Sequence, residues 1–130
     1  MQILQPPGWA RPRGYSNGIA ATGRMVFVSG MIGWDANCEF QTDDFAGQVR
    51  QAIENILTVL KEAGGGPQHI ARMTWYVVDK HEYMGAYKEI GAIYRELIGN
   101  HYPAMTAVEV AGLLEARARV EIEVTAVVPA

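Results

Sequence analysis

The stretch "VEIEVTAVV" at residues 120–128 limits what this chain can fold into more than any other segment. Val120, Ile122, Val124, Ala126 and Val128 recur at every second position, and successive side chains of a strand point to opposite faces of a sheet. One face must therefore be buried, while Glu121, Glu123, Thr125 and Val127 share the other. Carboxylates are rarely buried without a partner, so this second face is not an ordinary core. "HYPAMTAVEVAGL" at 101–113 sets the same problem, with Glu109 inside a strand-like run. Its alternation groups Met105, Ala107, Glu109 and Ala111, and we assign them to the face that carries Glu121 and Glu123. That face is too apolar to be simply wet, because Ala107, Ala111 and Val127 lie among the charges. A second copy of the chain is expected to cover it.

The rest of the chain supplies the cover for the first face. Between Thr42 and Ala63, Phe45, Val49, Ile53, Ile56 and Leu60 recur at spacings of three and four, which makes one apolar helical stripe. Thr42 or Asp43 can cap its start, Asp44 suits the positive end of the helix, and "GGG" at 64–66 ends it. "RMTWYVVD" at 72–79 is rich in strand formers. "DKHE" at 79–82 has the spacing of a capping box, and Tyr83, Tyr87, Ile90, Ile93, Tyr94 and Leu97 form the stripe of one second helix. Upstream, "GIAATGRMVFVSG" reads as two strands joined by a tight turn at Gly23. Residues 1–14, with Pro6, Pro7 and Pro12, read as an extended arm. The predicted order is ββαβαββ, an α+β fold with two helices on one face of a mixed sheet.

Composition narrows the function. At 130 residues the chain is read as a single domain, 1–130. The net charge of −3 lacks the basic footprint of a nucleic-acid binder. Cys38 is the only cysteine, so no intrachain disulfide forms and a cysteine-based metal site is not expected. No signal peptide is evident, and no apolar run approaches the roughly 20 residues that span a bilayer. No membrane partner is expected, and the cytoplasm is the default location.

The common catalytic motifs are missing: no Gly-x-Gly-x-x-Gly, no phosphate loop, no His-Glu-x-x-His and no Gly-x-Ser-x-Gly. His69, His81 and His101 are dispersed at helix boundaries or in loops and read as surface or helix-end residues. Glu121 and Glu109 are the better candidates. The plain alternative for each is solvent exposure or a cross-strand ion pair with Arg117 or Arg119. The chemical alternative is general acid–base work, for which partial burial at an interface tunes a glutamate. Tyr15 in "RGYSNG" is either packing or a pocket wall with a hydroxyl. Trp34 and Trp75 read as packing residues, although an indole beside a strand end can also line a ligand pocket.

Taken together, "GYSNG", "MVFVSGMIGWD", "QVRQAIENILTVLKEAGGG", "MTWYVVD", "YPAMTAVEVAGL" and "VEIEVTAV" resemble, in order and spacing, the RidA/YjgF/UK114 family. The resemblance implies a chorismate-mutase-like fold and a homotrimer, with three sheets around a central barrel and clefts between subunits. It also implies hydrolysis of reactive enamines or imines without metal or organic cofactor. Carried over residue by residue, it places Tyr15 in the cleft, Gly30 and Met31 where a backbone edge meets ligand, Ala107 where a backbone group holds water, and Glu121 as the residue that positions that water. The family motif puts a carboxylate-clamping arginine directly after "PA". Met105 stands there instead, so the substrate is expected to be a small, fairly apolar imine- or enamine-like metabolite rather than 2-aminoacrylate. The alternative is a non-catalytic trimer that binds a small molecule or acts as a chaperone.

Overall fold

The computed structural model describes residues 1–130. The chain order is β1 (Gln2–Leu4), β2 (Gly18–Ala20), β3 (Arg24–Ile32), α1 (Phe45–Glu62), a 3-10 turn (Pro67–His69), β4 (Ile70–Val77), α2 (Lys80–Gly85), α3 (Tyr87–Leu97), β5 (Ala104–Glu109) and β6 (Val120–Val128). The main sheet runs β3-β6-β4-β5; β6 is antiparallel to both neighbours and β4–β5 is parallel. The mixed α+β architecture expected from the sequence is therefore present, with three helices rather than two.

α1 forms where its stripe predicts. Phe45, Val49, Ile53, Ile56 and Leu60 are all buried. The cap is Asp44, not Thr42 or Asp43: it accepts from the Gly47 N–H at 2.9 Å, and Thr42 Oγ1 in turn accepts from the Asp44 N–H at 3.0 Å. At the far end Gly64 takes φ +72°, and Arg24 donates to the Ala63 carbonyl at 2.6 Å, a cation at the negative end of the helix. Beneath α1 and α3 the core is built from Ile70, Met73, Trp75 and Val77 of β4 and from Val120, Ile122, Val124 and Ala126 of β6.

Four further expectations need correction. The arm is not wholly extended: β1 pairs with β2 in a separate two-stranded sheet, so β2 and β3 form no hairpin. Gly23 does take a positive φ, +152°, and only glycine fits there, since a Cβ would meet the Val128 carbonyl oxygen at 2.4 Å. The second helix is broken at Ala86 (φ −98°, ψ 11°) into α2 and α3. Asp79 caps α2 by accepting from the His81 N–H, but Glu82 does not return to complete a capping box and binds Arg119 instead.

The fourth correction concerns the faces of β5. Its parallel register sets Met105, Ala107 and Glu109 beside Met73, Trp75 and Val77, which belong to the helix-covered face. Only Glu121 and Glu123 remain on the open face. The apolar residues of that face are Phe27 (73% exposed), Met25 (57%) and Val108 (41%), together with Val127. No helix is long and apolar enough to cross a membrane.

Candidate functional site

Glu121 stands on β6 between Ile32 of β3 and Tyr76 of β4. Beside it, β3 carries a bulge between Val28 and Met31, which turns Ser29 and Gly30 out of regular pairing. The glutamate fills the space this creates. A Cβ on Gly30 would lie 2.6 Å from Glu121 Oε2 and 2.9 Å from its Cγ, so only glycine leaves room for the carboxylate. The arginines that sequence reading offered as partners are engaged elsewhere: Arg117 pairs with Asp43 and Arg119 with Glu82. The neighbouring carboxylate, Glu123, accepts from the Tyr76 hydroxyl at 2.7 Å. That bond holds the Tyr76 proton and raises its pKa above the usual tyrosine value.

The half-exposed Glu121 opens into a hollow of about 270 Å³ lined by Tyr76, Val110, Gly112, Leu113 and Leu114. The connection that carries these leucines is pinned by Gln48, a fully buried amide on α1. Gln48 donates to the carbonyls of Thr42 and Arg117 and accepts from the Arg119 N–H at 2.8 Å. The strand entering β6 is thus locked to the start of α1. An apolar rim next to a free carboxylate suits proton transfer to a small molecule with an apolar side chain.

The other expected site residues are scattered within one chain. Tyr15 is 41% exposed at the outer edge of β5, where the Ser16 N–H donates to the Pro103 carbonyl at 3.0 Å. It lines a different hollow, with Arg11, His101 and Tyr102. The Met31 side chain points to the core face, leaving only its backbone near Glu121. Trp34 packs its ring on Phe40 at 5.9 Å and its carbonyl accepts from Asn55 at 2.8 Å, so it closes a loop. Met105 lies across the sheet in an aromatic pocket with Trp75, Tyr83 and Tyr87. Ala107, also on that side, is exposed near the sheet edge. Glu109 accepts from the Lys80 N–H at 2.9 Å, at the start of α2, which is a structural role. His69 and His101 make backbone hydrogen bonds, as helix-end residues do. No group of three His, Cys, Asp or Glu side chains converges to hold a metal.

A sequence profile described as endoribonuclease L-PSP matches residues 9–128. The chain belongs to that family, also known as RidA/YjgF/UK114. Relatives of this Rid-family chain include the 2-iminobutanoate/2-iminopropanoate deaminase of Salmonella typhimurium, 32% identical over 81% of the chain and 80% of the relative. The human protein of the same name is 28% identical over 98% of the chain and 88% of the relative. Among solved structures, a Rid-family protein of unknown function from Yersinia pestis, YyfB, superposes with a TM-score of 0.83 at 28% identity over 98% of each chain. Relatives in the family are thus named for imine deamination.

Proposed function

We propose that this chain is a cofactor-independent hydrolase that deaminates a small, fairly apolar imine or enamine in a cleft shared between copies. The observation that carries the reading is the fit of Glu121 against Gly30, which leaves an unpaired carboxylate beside bulged backbone. In this mechanism Glu121 orients a water molecule and takes its proton as the oxygen bonds to the imine carbon. The nitrogen is protonated, the tetrahedral intermediate collapses, the C–N bond breaks, and ammonia and an oxo compound leave. Relatives named as imine deaminases support the reaction class.

The shared cleft is supported by the open face. The isolated chain exposes 7745 Å², about 900 Å² above the roughly 6,800 Å² expected for a compact monomer of this mass. Phe27 and Met25 contribute to that excess. Tyr15 and Met105, remote from Glu121 in one chain, would come from a neighbour in the trimer that the family resemblance implies. The acidic net charge of −3 favours this reading over nuclease activity on an anionic polymer.

A second reading, a non-catalytic binding trimer, is favoured by one observation: Met105 offers no charge where the family motif has arginine. Turnover separates the two. Small imines generated in situ are offered to the purified chain and ammonia is measured against spontaneous hydrolysis in buffer. Release well above buffer supports the hydrolase, whereas saturable binding with release at the buffer rate supports the binding module.

A further inference from the structure

Two carboxylates share the open face of the sheet, and one tyrosine lies between them. In the register of β4 with β6, Tyr76 stands directly opposite Glu121, and Thr74 opposite Glu123. Directly opposed Cβ atoms of an antiparallel pair are about 4.5–5.5 Å apart, and diagonal neighbours roughly 7–8 Å. The Tyr76 hydroxyl nevertheless passes over its direct neighbour and donates to the diagonal one, Glu123, at 2.7 Å. We propose that Glu123 is a positioning residue: it holds the Tyr76 hydroxyl away from Glu121 and so keeps Glu121 free of a hydrogen-bond donor.

The two side chains are drawn apart by different neighbours. Glu121 leans toward β3, where Gly30 leaves the space: a Cβ there would stand 2.6 Å from Oε2. Tyr76 leans along the sheet to Glu123. The hydrogen bond from Tyr76 to Glu123 is the largest cause of the raised tyrosine pKa, and the charge of Glu121 is the smallest. The phenol therefore feels Glu121 without donating to it. Register places Arg72, Tyr76, Glu121 and Glu123 as the titratable groups on this face. Arg72 lies beside Thr125, beyond Glu123, and Arg117 and Arg119 hold Asp43 and Glu82. Tyr76 is the titratable donor that the register sets nearest Glu121.

The arrangement matters to a base. A phenol that donated to Glu121 would stabilise the charged carboxylate, make it a weaker proton acceptor, and occupy the place of the water it has to orient. A hydrogen bond to a charged group is worth about ten- to hundredfold in an equilibrium constant. Removing the acceptor at position 123 releases the phenol to make that bond. Acceptor and charge can be separated by substitution. Glu123→Gln removes the charge but keeps an acceptor oxygen, whereas Glu123→Leu removes both. Any difference between the two variants reports on the released hydroxyl and not on the lost charge.

The effect on turnover rests on the hydrolase reading, but the place of the hydroxyl can be tested without it. Crystal structures and ammonia release are compared for the parent, Glu123→Gln, Glu123→Leu and the double variant Glu123→Leu/Tyr76→Phe. Glu123 is exposed in the single chain and Tyr76 half-buried, so none of these changes enters the core. In Glu123→Leu the Tyr76 hydroxyl is expected within hydrogen-bond distance of the Glu121 carboxylate, with ammonia release about ten- to hundredfold lower. Adding Tyr76→Phe should restore the release, and Glu123→Gln should keep the hydroxyl at residue 123 and the turnover with it. A Tyr76 hydroxyl that turns to solvent in Glu123→Leu, or a loss that Tyr76→Phe does not restore, would overturn the inference. A parent that hydrolyses no imine removes the hydrolase reading instead, and the place of the hydroxyl in Glu123→Leu then decides the inference alone.

Discussion

Replacing Gly30 by alanine tests whether the bulge in β3 exists to seat the Glu121 carboxylate. The new Cβ would lie 2.6 Å from Oε2, 2.7 Å from Cδ and 2.9 Å from Cγ of Glu121, whereas ordinary carbon contacts are about 3.5–4.0 Å. The carboxylate must therefore move by about 1 Å, and misplacement on that scale costs on the order of a hundredfold in rate. The effect on folding is smaller. Glu121 is only half-buried and can swing toward solvent, so about 1 kcal/mol at the low end of overpacking costs, a few degrees in Tm, is expected. Thermal unfolding and ammonia release are measured side by side on Gly30→Ala and on Ser29→Ala, its neighbour in the same bulge. The reasoning predicts a folded Gly30→Ala variant with about a hundredfold lower turnover, and Ser29→Ala near the parent. A Gly30→Ala variant as active as the parent would show that the position of Glu121 does not matter.

Other consequences concern the open face, the missing charge and the buried hydroxyls. Phe27→Asp alters a side chain 73% exposed in the single chain, so it should leave the fold intact yet shift sedimentation from the proposed trimer to monomer; unchanged sedimentation would remove the open face as an interface. If Met105 stands where the family resemblance expects a carboxylate-clamping arginine, turnover of 2-iminopropanoate should fall about ten- to hundredfold below that of the Salmonella relative, the loss expected for a charge-assisted contact; equal rates would mean another residue holds the carboxylate. Burial raises the pKa of the Tyr94 hydroxyl well above the ordinary tyrosine value, and Tyr83 shifts the same way, from burial first and then from Tyr87. A raised folded-state value favours the protonated form, so this stability is complete below about pH 10 and is lost as pH rises further. Tyr94→Phe should flatten the decline in denaturant midpoint between about pH 10 and 12; an unchanged slope would contradict the assignment.

Some of this was legible in residues and some was not. β6 could be read because Val120, Ile122, Val124, Ala126 and Val128 contrast sharply with Glu121 and Glu123, so period two alone assigns both faces. α1 could be read because its apolar stripe is unbroken, although the cap falls on Asp44 rather than on Thr42 or Asp43. β5 could not. Met105, Ala107 and Glu109 are no more uniformly apolar than Thr106 and Val108, and only the parallel register with β4 decides which set joins the core. The break at Ala86 was hidden because the stripe from Tyr83 through Tyr87 to Ile90 continues across it. The β1–β2 pairing was hidden behind Pro6 and Pro7, which read as an arm. Glu121 was found as a candidate, but its contact with Gly30 depends on a bulge that no local pattern announces. Tyr76 and the pocket around Trp75 arise from packing between distant segments.

The central claim is that Glu121 is a general base. Its most direct test is ammonia release by Glu121→Gln and Glu123→Gln, measured on whichever small imine the parent hydrolyses best. Glutamine nearly preserves size and still forms hydrogen bonds, but it cannot take a proton from water at neutral pH. Glu123 lies two residues along the same strand face and already holds the Tyr76 hydroxyl. The account predicts that Glu121→Gln keeps the oligomer and ligand binding while losing about 10²–10⁴-fold in turnover, and that Glu123→Gln stays active. Normal turnover by Glu121→Gln would make this glutamate a packing residue and contradict the mechanism.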